Sequence, residues 1–225
     1  MKILIAGDSW GCGEWGWDSE GNYGLIHNGL EHFLSIDHTV INVSKAGASN
    51  KETIELLNQY LTIDKTVDLI FWFQTDPLRD ARPYSFFNQK ILSFETLMEL
   101  QLDLLLSSYT RLNNLKLPVC CLGGASTLQT EYFKHYSNLT PIVPSVTNLI
   151  LGKSYDHPKI WFSEWFKLIK NQFDLASLNK LYDEKLKQNQ LLDNHRDMFY
   201  PDGYHPNRIA HEILYNYLKK ELEFI

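Results

Sequence analysis

Short apolar runs alternate with longer amphipathic stretches along this chain, and that alternation predicts most of its elements. Lys2–Ala6 is apolar on both faces and stops at Gly7, the pattern of a buried parallel strand. Residues 23–34 carry Leu25, Ile26, Leu30 and Phe33 at roughly helical spacing, which predicts a helix. Residues 39–43 read as a second strand. Ser49, with Glu52 three residues on, forms a capping-box signature for a helix that lines up Ile54, Leu57 and Leu61. Residues 68–73 read as a third strand, with Pro77 soon after it. Residues 94–112 give the clearest helical pattern, tracing Leu97, Gln101, Leu105, Tyr109 and Leu112 along one face. A fourth strand over 117–122 closes at Gly123-Gly124. Residues 140–151 are apolar and β-branched but broken by Pro141 and Pro144, so their type stays open. Helical patterns return over 163–173 and 177–191. A last helix after His205-Pro206 is expected to turn Ile209, Ala210, Ile213, Leu214, Tyr217 and Leu218 inward.

Strand alternating with helix implies a parallel sheet covered on both faces. No internal repeat or shift in composition divides the 225 residues, so one domain over 1–225 is expected. A hydrophobic content of 44% with 13% aromatics suffices for its core. Ligands of such sheets bind beyond the C-terminal ends of the strands. Ser9, Gly47 and Thr75 each follow a predicted strand end and would gather on that rim.

Charge and cysteine usage narrow the function classes. A net charge of −6 argues against a nucleic-acid binder. No segment approaches a membrane span, and the first apolar run is too short for a signal peptide, so a cytoplasmic protein is expected. Cys12, Cys120 and Cys121 lack metal-like spacing, and the last two sit in an apolar run as small buried hydrophobes. His27, His32, His38, His135, His157, His195 and His211 show no ligand spacing, so neither a metal nor another cofactor is expected. Nothing in the sequence sets the oligomeric state.

The candidate chemistry lies at the two ends. Ser9 follows the first strand, and Asp202 and His205 stand three residues apart in Pro201-Asp202-Gly203-Tyr204-His205-Pro206-Asn207. A serine hydroxyl is a poor nucleophile until an imidazole takes its proton and a carboxylate holds that imidazole. Gly11, Gly13 and Gly16 match a dinucleotide fingerprint by letters, but that motif must run from a strand straight into a helix, with an acid ending the second strand. Here the second strand ends in Ser44-Lys45.

Four short blocks resemble those of the SGNH hydrolase superfamily, the GDSL esterases and lipases. Gly7-Asp8-Ser9 is similar to the first block, which carries the nucleophile. Asn42 to Gly47 is similar to the second, whose glycine offers a backbone N–H. Phe73-Gln74-Thr75-Asp76 occupies the place of the third, normally Gly-x-Asn-Asp, and Asp202 to Pro206 resembles the fourth. The resemblance implies a flavodoxin-like three-layer α/β/α sandwich with a mostly parallel sheet. It also implies a serine esterase acting on a small or carbohydrate-linked acyl ester through an acyl-enzyme. Ser9 would attack, His205 would move the proton and Asp202 would orient the imidazole. The backbone N–H groups of Ser9 and Gly47, with Thr75, would hold the oxyanion. The rival reading is a weak or inactive protein that keeps the fold for binding, for example to a glycan.

The third block departs from the family pattern, with Phe73 for its glycine and Thr75 for its asparagine. Thr75 can still donate a hydroxyl, Gln74 is a second candidate donor, and Phe73 is expected to narrow the site. Asp8, Trp10, Gln74 and Arg79 are the expected substrate contacts. Trp10, Trp15 and Trp17 suit either a stacking surface for a sugar or acyl group or a local packing cluster. Arg79 and Arg82 suit either an anionic substrate or surface pairing with Asp80.

Overall fold

The computed structural model describes residues 1–77, 79–80, 94–124, 127–152, 197–199 and 205–222, with side chains of 94–98 excepted. In chain order its elements begin with β1 (Lys2–Ala6), α1 (Ser9–Cys12), β2 (Glu14–Trp17), β3 (Tyr23–His27) and α2 (Leu30–Leu34). They continue with β4 (Thr39–Asn42), α3 (Asn50–Ile63), β5 (Leu69–Gln74), α4 (Phe94–Asn113) and β6 (Val119–Gly123). A 3-10 turn at Thr130–His135, β7 (Leu139–Val143), α5 (Val146–Leu151) and α6 (Arg208–Glu221) follow. The patterns over 163–173 and 177–191, and most of the 78–90 connection with Arg82, lie outside the described residues.

Five parallel strands pair in the order β4-β1-β5-β6-β7. Leaving out the separate β2–β3 ribbon, this is the doubly wound order 2-1-3-4-5 of the flavodoxin-like fold. The expected three-layer sandwich is therefore present. The chain runs from β1 outward to β4, then returns across β1 to β5, so the order reverses at β1. That reversal opens a crevice at the C-terminal ends of β1 and β5, and Ser9 and Thr75 follow those two ends.

Strand alternation sorts the core into two layers. Ile3, Ile5, Leu69, Phe71 and Leu122 pack with Leu30, Leu34, Ile150, Leu214 and Leu218 on one face. Leu4, Ala6, Ile70, Trp72 and Cys121 pack with Ile54, Leu57, Leu105, Tyr109 and Leu112 on the other. The capping box forms as expected, with Ser49 Oγ accepting from Glu52 N and the Glu52 carboxylate accepting from Ser49 N.

Three expectations change. Residues 23–34 are not one helix but β3, a turn and the short α2; cross-strand pairing with β2 overrides the weak helical spacing. The open 140–151 segment resolves into β7 and α5. Pro141 is accommodated because β7 is an edge strand and the ladder shifts register beside it. On α6 the buried face is Ala210, His211, Leu214, Tyr215 and Leu218, while Ile209 is exposed. No helix among the described residues is long and apolar enough to cross a membrane.

Candidate active site

Ser9 opens α1 immediately beyond β1, and its Oγ lies 2.8 Å from His205 Nε2 across 196 residues of sequence. Asp8 caps α1 with its side chain, accepting from Trp10 N at 3.0 Å, and the Gly11 and Cys12 N–H groups close onto the Asp8 carbonyl. The serine is thus fixed on a tight turn and is itself nearly buried.

The turn fits because of two side-chain sizes. A Cβ on Gly7 would stand 2.7 Å from Phe73 Cβ, and one on Gly11 would stand 2.5 Å from Ser44 Oγ. Phe73 therefore does not narrow the site. It fills the core directly beneath the Ser9 turn, and the glycines of the first loop make room for it and its neighbours. This also disposes of the dinucleotide fingerprint: Gly11 lies inside α1, and the chain there runs from helix into strand.

His205 is held from its own side of the chain. Phe199 and Pro206 form an antiparallel bridge, Asn207 N donates to the Met198 carbonyl at 3.0 Å, and Asn207 Nδ2 donates to the Asp197 carbonyl at 2.7 Å. Asn207 then caps α6 by accepting from Ala210 N. Asp202 lies outside the described residues.

Thr75 and Asp8 are bound to each other rather than left for a substrate. Thr75 Oγ1 stands 2.8 Å from Asp8 Oδ2 and 2.9 Å from Arg79 Nη1. A carboxylate only accepts and a guanidinium only donates, so the hydroxyl hydrogen must point at Asp8. The expected third oxyanion donor is therefore committed elsewhere. Arg79 Nη1 also donates to Asp8 Oδ2 at 2.8 Å and to the Ala48 carbonyl. Asp80, the partner considered for Arg79, instead accepts from Lys51 N at the start of α3.

Two other expected contacts are likewise internal. Gln74 is buried on the opposite side of β5, where its Oε1 accepts from Tyr109 Oη at 2.7 Å. Trp10 is core, 6.4 Å from the Phe199 ring. Gly47 lies exposed in the loop after β4 with a left-handed φ of 75°. That loop is tied to the Ser9 turn by Lys45 N donating to the Gly7 carbonyl and Asn42 Nδ2 donating to the Gly11 carbonyl.

Two positioning groups have no motif to announce them. Trp15 Nε1 donates to the Ser9 carbonyl at 3.0 Å, and its ring lies 6.0 Å from that of His205. Asn50, wholly buried, accepts from Thr75 N at 3.0 Å and donates to the Thr75 carbonyl at 3.3 Å. Cys12 stands one helical turn from Ser9, but burial, reinforced by the Asp8 charge, pushes its thiol up to about 11. It remains a thiol at neutral pH and offers no rival thiolate.

No family model matches the chain, and no curated protein matches it. Solved structures do. One of TesA is 15% identical and aligns over 99% of this chain and 98% of its own, at a TM-score of 0.44. A carbohydrate acetylesterase family member from Sinorhizobium meliloti is 13% identical over 99% and 97%, at 0.44. The lipase Lip_vut3 from a goat rumen metagenome is 15% identical over 98% and 96%, at 0.47. These are likenesses at low identity; the fold rests on the sheet order itself.

Proposed function

We propose that this chain is an SGNH-type serine esterase whose nucleophile is Ser9. The observation that carries the reading is the 2.8 Å approach of Ser9 Oγ to His205 Nε2, because only the fold brings these distant residues together. It occurs at the topological switch point, where open α/β sheets bind ligands. A purely structural hydroxyl–imidazole contact has no reason to lie there.

The chemistry follows from the atoms. With Nε2 facing the hydroxyl as acceptor, the other ring nitrogen carries a hydrogen, and Asp202 is the carboxylate that would accept a hydrogen bond from it while staying ionised. Ser9 Oγ attacks the ester carbonyl as its proton passes to Nε2. The tetrahedral intermediate breaks its bond to the alcohol, which leaves with that proton. Water then repeats the sequence on the acyl-enzyme and releases the acid. Ser9 N–H has no acceptor among the described residues and is one candidate oxyanion donor; Gly47 N–H is the other. Thr75 supports the site through Asp8, not by donating to substrate.

The rival, a protein that keeps the fold only for binding, predicts no turnover. Purified protein should release p-nitrophenol from p-nitrophenyl acetate, and Ser9→Ala should lower kcat/KM by about 10⁴. Hydrolysis that survives Ser9→Ala undiminished would overturn the assignment.

A further inference from the structure

The start of α6 meets the chain that follows Ser9, and the two sides fall into step. On one side stand Trp15, Glu14 and Gly13; on the other stand His205, Arg208 and His211, three residues apart. The Trp15 ring lies 6.0 Å from that of His205, and Glu14 Oε2 accepts from Arg208 Nε at 2.8 Å. At the far end, a Cβ on Gly29 would stand 2.7 Å from Gly13 Cα and 2.8 Å from His211 Nε2, so backbone and buried imidazole pack there with no room for a side chain. Residues three apart share one face of a helix, so Arg208 and His211 look toward the same strand.

Glu14 is the unexpected member of this line. Its side chain is only 9% exposed, yet it carries a carboxylate, whereas the Arg208 side chain is 56% exposed. Burying a carboxylate costs free energy that its partner must offset, and apolar replacements of buried ion pairs are often at least as stable. Stability alone therefore does not account for it. What a charge-assisted hydrogen bond adds is direction, since it holds one atom against another. The apolar packing of α6 through Ala210, Leu214 and Leu218 resists separation but has no such direction.

We propose that Glu14 and Arg208 are a positioning pair that sets the reach of His205 to Ser9. The proposal rests on the esterase reading and adds a requirement to it. Ser9 leads through the short α1 and Gly13 to Glu14, while His205 leads through Pro206 and Asn207 to Arg208. Each member of the reacting pair is thus a short, braced span from one end of the ion pair. The contacts Ser9–His205 and Glu14–Arg208 close a ring across the two segments, so loosening the second changes the first. A misplacement of about 1 Å in such an approach can cost about a hundredfold in rate. Both residues act through the imidazole rather than on the ester.

The test compares two backgrounds. Arg208→Ala is made in the unmodified protein and in His205→Ala, with Glu14→Gln as a second variant that keeps the side chain's shape, and circular dichroism checks that each is folded. The rates read are labelling of Ser9 by a fluorophosphonate probe and kcat/KM on p-nitrophenyl acetate. In the unmodified background Arg208→Ala should lower both about tenfold and Glu14→Gln should lower them less, while the double variant is no slower than Arg208→Ala alone. In His205→Ala the same Arg208→Ala change should alter labelling less than about twofold, because no imidazole is left to position. Three outcomes overturn the proposal: a loss under about twofold in the unmodified background, an equal loss in both backgrounds, or single losses that multiply in the double variant. The esterase reading fails separately, through unmodified protein that shows no Ser9-dependent hydrolysis, and the proposal then falls with it.

Discussion

Arg79 reaches past Asp80, its neighbour in sequence, to hold Asp8 at 2.8 Å. Asp8 is almost wholly buried and also caps α1, so this ion pair connects the end of β5 to the placement of Ser9. Removing one partner of a buried pair is costly, because the other charge is left without solvent or partner. Arg79→Ala should therefore destabilise by about 3 kcal/mol and reduce kcat as the Asp8 cap loosens. Asp8→Asn should cost less. The amide oxygen still accepts from Trp10 N, and the partly exposed guanidinium retains water. Urea denaturation of both variants checks the order, and a greater loss in Asp8→Asn would contradict it.

Asn50 gives a second stability prediction. Its amide satisfies both the N–H and the carbonyl of Thr75 at a buried position. Asn50→Ala removes both of these buried hydrogen bonds and should cost about 2–4 kcal/mol. Asn50→Ser, too short to reach both, should restore little. Chemical denaturation midpoints measure this, and a loss under 1 kcal/mol (roughly a surface substitution) would show that water replaces the clamp.

Trp15 should affect turnover. Trp15→Phe keeps an aromatic ring beside His205 but removes the indole N–H from the Ser9 carbonyl. One hydrogen bond of about 0.5–1.5 kcal/mol corresponds to a two- to tenfold loss, read in kcat on p-nitrophenyl acetate. Unchanged kcat would mean that the Ser9 turn holds its shape without the indole.

His211 supplies a pH dependence of stability. Burial drives its pKa down to about 4, with the Gly13 backbone pulling the other way and His27 adding to the lowering. In the unfolded chain a histidine titrates near about 6.5. Between about pH 4 and 6.5 the unfolded state binds the extra proton, so stability rises with pH across that window and is lost as the medium is acidified through it. The full loss is about 3 kcal/mol. His211→Leu should flatten the melting temperature between pH 6.5 and 4.5, measured at about half-unit steps. A slope equal to that of the unmodified protein would assign the dependence to other groups.

Much of the fold was legible because its central strands β1, β5 and β6 are buried on both faces. Ile3–Ala6 has no polar position to shift its register, and the Ser49–Glu52 box states where α3 begins. The ribbon was not legible: Leu25, Ile26, Leu30 and Phe33 satisfy a helical spacing by coincidence across β3, a turn and α2. Ser9 and His205 were legible as a pair from motif and chain order. The roles of Thr75, Gln74 and Trp10 were not, since each depends on a partner distant in sequence: Asp8, Tyr109 and Phe199 in turn. Strand alternation does place Gln74 opposite to Thr75, and that signal was present in the sequence.

The central claim is that the hydroxyl of Ser9 is a nucleophile activated by His205. A fluorophosphonate probe, followed by peptide mass spectrometry, reads it directly. The account predicts one covalent adduct, on Ser9, formed about 100-fold more slowly in His205→Ala. An adduct on a different serine, or a Ser9 inert to the probe in protein that still hydrolyses esters, would contradict it.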